Sequence, residues 1–147
     1  MSRRILTGIT TTGIPHIGNY FGAIKPALQL SSEKNVSSYF FLADLHAIIK
    51  QTNPNEIKVS VNEVALAWLS SGLDPEKSFF YRQSNIPEIT ELAWILSCVT
   101  AKGLINRSHA YKAAVQLNHD HTKDEDKGIS MGSVSYTHLR AHETYTY

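Results

Sequence analysis

Arg4-Ile5-Leu6-Thr7-Gly8-Ile9-Thr10-Thr11-Thr12-Gly13-Ile14-Pro15-His16-Ile17-Gly18-Asn19 is the stretch that decides how this chain is built. Residues 4–9 are short, apolar and β-branched at their end, which predicts a buried strand. Gly8, the three threonines, Gly13 and Pro15 then break regular structure. A helical pattern follows from about His16 to Leu30, with Ile17, Tyr20, Phe21, Ile24 and Leu28 on one side. Pro26 falls inside it and should kink or shorten the helix, because proline has no N–H to give the preceding turn.

The same alternation continues downstream. Residues 38–43 (SYFFLA) read as a second buried strand. The clearest helix begins at Asn53, an N-cap, with Pro54 as first helical residue and Glu56 at the capping-box position. Ile57, Val61, Val64, Ala65 and Trp68 share one helical face, and Gly72 ends the helix as a C′ glycine. Residues 78–82 (SFFYR) form a third strand. Residues 87–99 form a third helix with Ile89, Leu92, Ala93, Leu96 and Val99 on its apolar face. Residues 103–115 contain a further helical stretch, and 118–128 (NHDHTKDEDKG) read as a mobile, charged surface loop. Strands alternating with helices imply an α/β fold with a doubly wound, Rossmann-like parallel sheet. Ligands in such folds sit at the carboxyl ends of the strands, so the first strand-to-helix loop is where chemistry is expected.

Composition narrows the classes. The chain has 147 residues and is 42% hydrophobic, enough for one globular core. Fourteen Lys and Arg against thirteen Asp and Glu leave a formal charge of +1, so no global positive field favours nucleic acid. A single cysteine excludes a disulfide framework and a cysteine-rich zinc site. The apolar runs are far below the ~18 residues of a membrane span, and the expectation is a reduced, cytoplasmic protein with no membrane partner.

The first loop has two readings on its residues alone. Gly13 and Gly18 let the backbone turn sharply or approach a ligand closely. Threonine hydroxyls and amides at a helix start make an anion site. His16 and Asn19, one turn apart, can both donate hydrogen bonds to phosphoryl oxygens. The other reading is a Gly/Thr-rich turn that caps a helix. Neither a Walker loop nor G-x-G-x-x-G is present, which disfavours a P-loop NTPase and a dinucleotide dehydrogenase.

His16-Ile17-Gly18-Asn19 resembles the HIGH motif of class I aminoacyl-tRNA synthetases, with Asn19 in the last place. The surrounding run, from Thr7-Gly8-Ile9 through Gly13-Ile14-Pro15 to Tyr20-Phe21-Gly22-Ala23-Ile24, resembles the amino-terminal signature of the tryptophanyl-tRNA synthetase family. Four further blocks follow in the family's order. They are Phe41-Leu42-Ala43-Asp44-Leu45-His46-Ala47-Ile48, Phe80-Tyr81-Arg82-Gln83-Ser84-Asn85-Ile86-Pro87, Glu91-Leu92-Ala93-Trp94 and Gly128-Ile129-Ser130-Met131-Gly132. The family often has Gln-Pro-Ser where this chain has Thr10-Thr11-Thr12.

The resemblance implies two steps: tryptophan reacts with ATP to give tryptophanyl-adenylate and pyrophosphate, and the tryptophanyl group then passes to tRNA(Trp). It implies that His16 and Asn19 act on the triphosphate and are the catalytic pair. It places Thr10, Thr11, Thr12 and Gly18 with them as the ATP-binding set, Gly18 leaving room for the adenosine. Mg²⁺ accompanies the ATP. Leu6, Gly8 and His46 line the tryptophan pocket, and a homodimer is expected. For His46 the residues alone also allow a structural histidine in an Asp-x-His turn. A tyrosyl-tRNA synthetase, another HIGH-motif nucleotidyltransferase, or a non-catalytic synthetase-derived binding chain are the alternatives.

Other features have plainer expectations. His119, His121 and the acidic residues 124–126 read as solvated loop, and no metal site is expected. Cys98 is expected to be a buried, inert thiol. Trp68 and Trp94 are expected in core packing or a subunit interface. Arg82, Lys102, Arg107 and Lys112 are scattered surface charges that could also meet tRNA or a partner. Residues 1–132 read as the opening part of the catalytic domain. Residues 133–147 (SVSYTHLRAHETYTY) have no amphipathic period, and 134–144 look like a transposase-type sequencing adapter translated in frame. The alternative is a divergent natural terminus. No KMSKS motif is present, and the expectation is that the 147-residue chain alone is inactive.

Overall fold

The computed structural model describes residues 3–119, 126–130 and 132. The chain divides into two compact units, Met1–Pro87 and Glu88–Tyr147. In the first unit, β1 (Arg3–Thr10), β2 (Val36–Ala43) and β3 (Ser78–Arg82) form a parallel sheet in the order β1-β2-β3. Gly8 pairs with Phe41 and Thr10 with Ala43, while Phe41 pairs with Tyr81. Parallel neighbours need crossovers, and helices supply both of them. The parallel α/β layout is the one the alternation predicts.

The first crossover shows how the chain accommodates Pro26. It consists of α1 (Ile17–Asn19), a π-helical turn (Tyr20–Ile24) and α2 (Lys25–Ser31). Pro26 falls at the start of α2, where a missing N–H is tolerated, and the Lys25 N–H bonds back to the Tyr20 carbonyl across the wider turn. The widening rotates the positions before it. Ile24 and Ala27 are buried, whereas Ile17 and Phe21, placed on the same face by a regular helical period, are exposed. Phe21 instead packs its edge against Tyr20 and lies under the Lys25 ammonium.

The second crossover is α4 (Pro54–Ser70), preceded by the short α3 (Asp44–Ala47). Asn53 caps α4 by accepting the Asn55 N–H at 3.0 Å. The reciprocal half of the expected capping box is taken over: the Asn53 N–H donates to Gln51 Oε1, and Glu56 receives the side-chain amides of Asn53 and Gln51. At the other end Gly72, at φ +101°, closes a Schellman turn, with its N–H on Leu69 O and the Leu73 N–H on Trp68 O. This turn brings buried Leu73 back into the core beside Trp68. The core lies on one face of the sheet, where Ile9, Phe40 and Leu42 meet Ile24, Ala27, Val61, Val64 and Trp68. Trp68 is fully buried, its ring stacked on Phe40 at 4.8 Å.

The second unit contains α5 (Pro87–Val99), α6 (Lys102–Ile105) and α7 (His109–His119). The helical stretch expected over 103–115 is therefore two helices, broken before Ser108, whose Oγ accepts the Tyr111 N–H and starts α7. One expectation for α5 needs correction: Cys98 is exposed, not buried. Trp94, one helical turn away, is 72% exposed, so of its two expected places it is not in core packing. No residue of α5 is buried. The segment expected as one mobile loop over 118–128 is partly helix and partly a turn held to α7. Tyr111 donates its hydroxyl to Asp126 at 2.7 Å, and the Asn118 amide donates to Lys127 O. Residues 120–125, with His121 and Asp124, and the tail 133–147 lie outside the described residues. Among the described residues no cluster of three metal-ligating side chains occurs, and no helix is long and apolar enough to cross a membrane.

Candidate active site

At the carboxyl end of β1 the chain makes a tight passage into α1. Gly13 sits at φ +143°, a backbone conformation that side chains with a Cβ disfavour. His16 is the N-cap of α1 and is in extended conformation. Its Nδ1 accepts the Gly18 N–H at 3.1 Å, and Asn19 Oδ1 accepts the His16 N–H at 3.0 Å. This reciprocal cap decides the polarity of both side chains. An imidazole whose Nδ1 accepts is, when neutral, protonated on Nε2. An Asn whose Oδ1 accepts has its NH₂ left as donor. The turn therefore fixes two neutral donors one helical turn apart.

A cleft of about 170 Å³ opens beside them, lined by Thr10, Thr12, Gly13, His16 and Asn19, with Ile9, Ile14, Pro15 and Val64 as its apolar side. Its lining holds hydroxyls, an amide and an imidazole and no carboxylate, which suits an anionic guest. It is smaller than the ~300–1,000 Å³ of sites that enclose a whole drug-sized ligand, so it fits part of one. The phosphate reading and the capping reading of the loop thus coexist, because the cap is what aims the donors.

Two residues of the expected ATP set are elsewhere. Thr11 is fully buried, its Oγ1 has no hydrogen-bond partner among the described residues, and it is not part of the cleft lining. Gly18 does not line the cleft either. A Cβ there would lie 2.9 Å from Cε1 and Nδ1 of His16, so the room that Gly18 leaves is taken by the imidazole.

The residues expected around an aromatic substrate lie on the sheet face opposite the core. Leu6, 55% exposed, and Gly8 share that face with Tyr39 and Phe41 of β2 and Phe79 and Tyr81 of β3. The aromatic rings pair across the strands, Tyr39 on Phe79 at 4.7 Å and Phe41 on Tyr81 at 5.9 Å. Burial raises the Tyr81 phenol above its ordinary pKa, and neighbouring Tyr39 adds to the shift. His46 lies just past the end of β2 on α3, which packs beside β1. Its Nδ1 is 2.8 Å from Gln83 Oε1. Asp44 accepts the Ser84 N–H at 2.9 Å and the Ser84 hydroxyl as well. Arg82, considered above as a surface charge, donates to Asn85 Oδ1 at 3.1 Å.

Sequence reasoning named His46 and missed its partners. The signal for them was present: Asp44-x-His46 and Gln83-Ser84 each follow directly on a strand's carboxyl end. What was lacking was the knowledge that β2 and β3 are neighbours.

Comparison with known proteins agrees with this arrangement. The sequence profile of the family described as tRNA synthetases class I (W and Y) matches residues 2–147, including the stretch after Gly132. The tryptophan--tRNA ligase of Pseudomonas putida is 57% identical over 141 residues, which cover 96% of this chain and 31% of that protein. The chain thus spans about a third of the length of such curated relatives. A crystal structure of tryptophanyl-tRNA synthetase from Campylobacter jejuni superposes with a TM-score of 0.77 at 37% identity, covering 97% of this chain and 42% of that one. The same enzyme complexed with ADP and tryptophan gives a TM-score of 0.74 over 95% of this chain and 41% of that one, again at 37% identity. By profile, by sequence and by fold, the chain belongs to the class I tRNA synthetases of the W and Y family.

Proposed function

We propose that this chain is the amino-terminal part of an enzyme that activates L-tryptophan with ATP and transfers it to tRNA(Trp). The observation that bears most of this reading is the pair of neutral donors, His16 and Asn19, aimed by their reciprocal cap at a carboxylate-free cleft at the end of β1. The reaction needs such a site. The tryptophan carboxylate is already a nucleophile, so no strong base is required. One of its oxygens bonds to the α-phosphorus while the bond to the bridging oxygen breaks, and pyrophosphate departs with the electron pair. What the protein must supply is in-line placement and stabilisation of charge on the phosphoryl oxygens.

In this reading the His16 Nε2–H and the Asn19 NH₂ donate to triphosphate oxygens, and Thr10 and Thr12 add hydroxyl or backbone contacts from the loop. Thr11 and Gly18 act on ATP indirectly, one by anchoring the loop in the core and the other by seating the imidazole. Mg²⁺ fits as a companion of the nucleotide, held by its phosphate oxygens, since the cleft lining offers no carboxylate. Leu6, Gly8 and His46 form the tryptophan side. The same reading carries a homodimeric enzyme working in the cytoplasm.

The test is exchange of labelled pyrophosphate into ATP by the natural protein that contains residues 1–132. Exchange that depends on tryptophan and disappears in His16→Ala is the expected result. Exchange that depends on tyrosine, or on no amino acid, would overturn the reading.

A further inference from the structure

We propose that Asp44 is a positioning residue: through Ser84 it locks the turn after β3 onto the end of β2, and so holds the contact between Gln83 and His46. The two strands pair in register from Ser38 with Ser78 to Leu42 with Arg82. Asp44 stands two residues past the end of this ladder on one chain segment, and Ser84 two residues past it on the other. Where the backbone ladder stops, a side chain carries the link onward. Asp44 Oδ1 accepts the Ser84 N–H at 2.9 Å, and Oδ2 accepts the Ser84 hydroxyl. An ionised carboxylate only accepts, so both of its oxygens can serve one residue at once, and such bonds are stronger than neutral ones. The double grip matters because Ser84 is exposed, where a single bond competes with water.

The same carboxylate organises its own side. Ala43, the N-cap of α3, has no polar side chain to cap with, and Asp44 Oδ1 takes the Leu45 N–H at 3.0 Å. One oxygen therefore ties the start of α3 to the turn Gln83–Asn85. That turn is braced again by the Arg82 guanidinium on Asn85 Oδ1 and by the Ile86 N–H on Gln83 O, both at 3.1 Å. Between these ties Gln83 is buried, with its Oε1 2.8 Å from His46 Nδ1. Gln83 is next to Ser84 and His46 is two residues from Asp44, so a shift of the clasp displaces both members of the second contact. His46 belongs to the side assigned above to tryptophan. The consequence for that substrate rests on the reading under Proposed function, and the clasp does not.

The test uses the natural protein that contains residues 1–132, altered to Asp44→Ala, Asp44→Asn or Ser84→Ala. In pyrophosphate exchange, Asp44→Ala should raise KM for tryptophan roughly tenfold and leave KM for ATP within about twofold. Asp44→Asn should recover most of the loss, because its oxygen still accepts the Ser84 N–H and its NH₂ can donate to the Ser84 oxygen. Ser84→Ala should raise KM for tryptophan about threefold, and adding it to Asp44→Ala should cost nothing more. An unchanged KM for tryptophan, an equal rise for ATP, or additive losses would overturn the proposal. So would an Asp44→Asn loss as large as that of Asp44→Ala, since the charge and not the geometry would then be what counts. Hydrogen exchange at the Ser84 amide is the readout that needs no substrate. The amide should be protected in the unaltered protein and in Asp44→Asn, and exchange roughly tenfold faster or more in Asp44→Ala while the β1 amides keep their rates. An unprotected Ser84 amide in the unaltered protein overturns the clasp. If exchange into ATP never depends on tryptophan, the functional reading fails and the amide alone decides the clasp. Should Asp44→Ala not fold, Ser84→Ala and Asp44→Asn carry the same decision.

Discussion

The ring of Phe41 lies directly over Gly8, so close that a Cβ on residue 8 would stand 2.3 Å from Phe41 Cζ. The two residues are register partners on adjacent strands, and the ring reaches across its neighbour to stack, on its other side, with Tyr81. Gly8→Ala should therefore displace Phe41 and cost about 1–3 kcal/mol, the usual penalty of overpacking. Denaturant unfolding measures it. Adding Phe41→Leu to Gly8→Ala should recover part of the loss, whereas additive destabilisation would show that the ring is not the obstacle.

Trp68 presents a different balance. It is fully buried against Phe40, yet its indole Nε1 has no hydrogen-bond partner among the described residues. Trp68→Ala should cost about 3–5 kcal/mol through the cavity it leaves. Trp68→Phe should cost much less than that, because it keeps an aromatic ring on Phe40 and removes the unsatisfied donor. Equal losses in the two variants, measured by thermal unfolding, would contradict this.

Asn19 separates capping from ligand binding. Asn19→Asp keeps an oxygen to accept the His16 N–H but replaces the outward NH₂ by negative charge. Stability should stay within about 0.5 kcal/mol, while ATP affinity by calorimetric titration falls roughly tenfold or more. Asn19→Ala should lose both, with a capping loss of about 1 kcal/mol.

Tyr81 gives the sheet an alkaline weakness. Burial first, and Tyr39 second, raise its phenol above the ordinary 10.0. A raised folded-state pKa means that the folded chain holds this proton more tightly than the unfolded one. The contribution is complete below pH 10 and disappears as pH climbs through the folded value. Tyr81→Phe should leave stability near neutral pH little changed and flatten the alkaline fall. A Tyr81→Phe chain with the same alkaline slope as the unaltered one would refute the assignment.

The sequence by itself determined the local pieces, because each was set by neighbours in the chain. The strands at 4–9 and 38–43 needed only a residue or two added at their ends, and 78–82 needed none. The helix from Pro54 was marked by Asn53 and Gly72, and its buried face by Val61, Val64 and Trp68. The His16–Asn19 spacing contained the cap, because the two residues are one turn apart on the same helix. Tertiary structure decided everything that depends on which strands lie side by side. The stacking of Phe41 over Gly8, the burial of Thr11 and the clasp of Asp44 and His46 on Ser84 and Gln83 join residues up to 40 positions apart. It also decided against the apolar period of α5 as a guide to burial, leaving Ile89, Leu92, Leu96 and Val99 exposed. Periodicity states which residues share a face, and only packing states whether that face is covered.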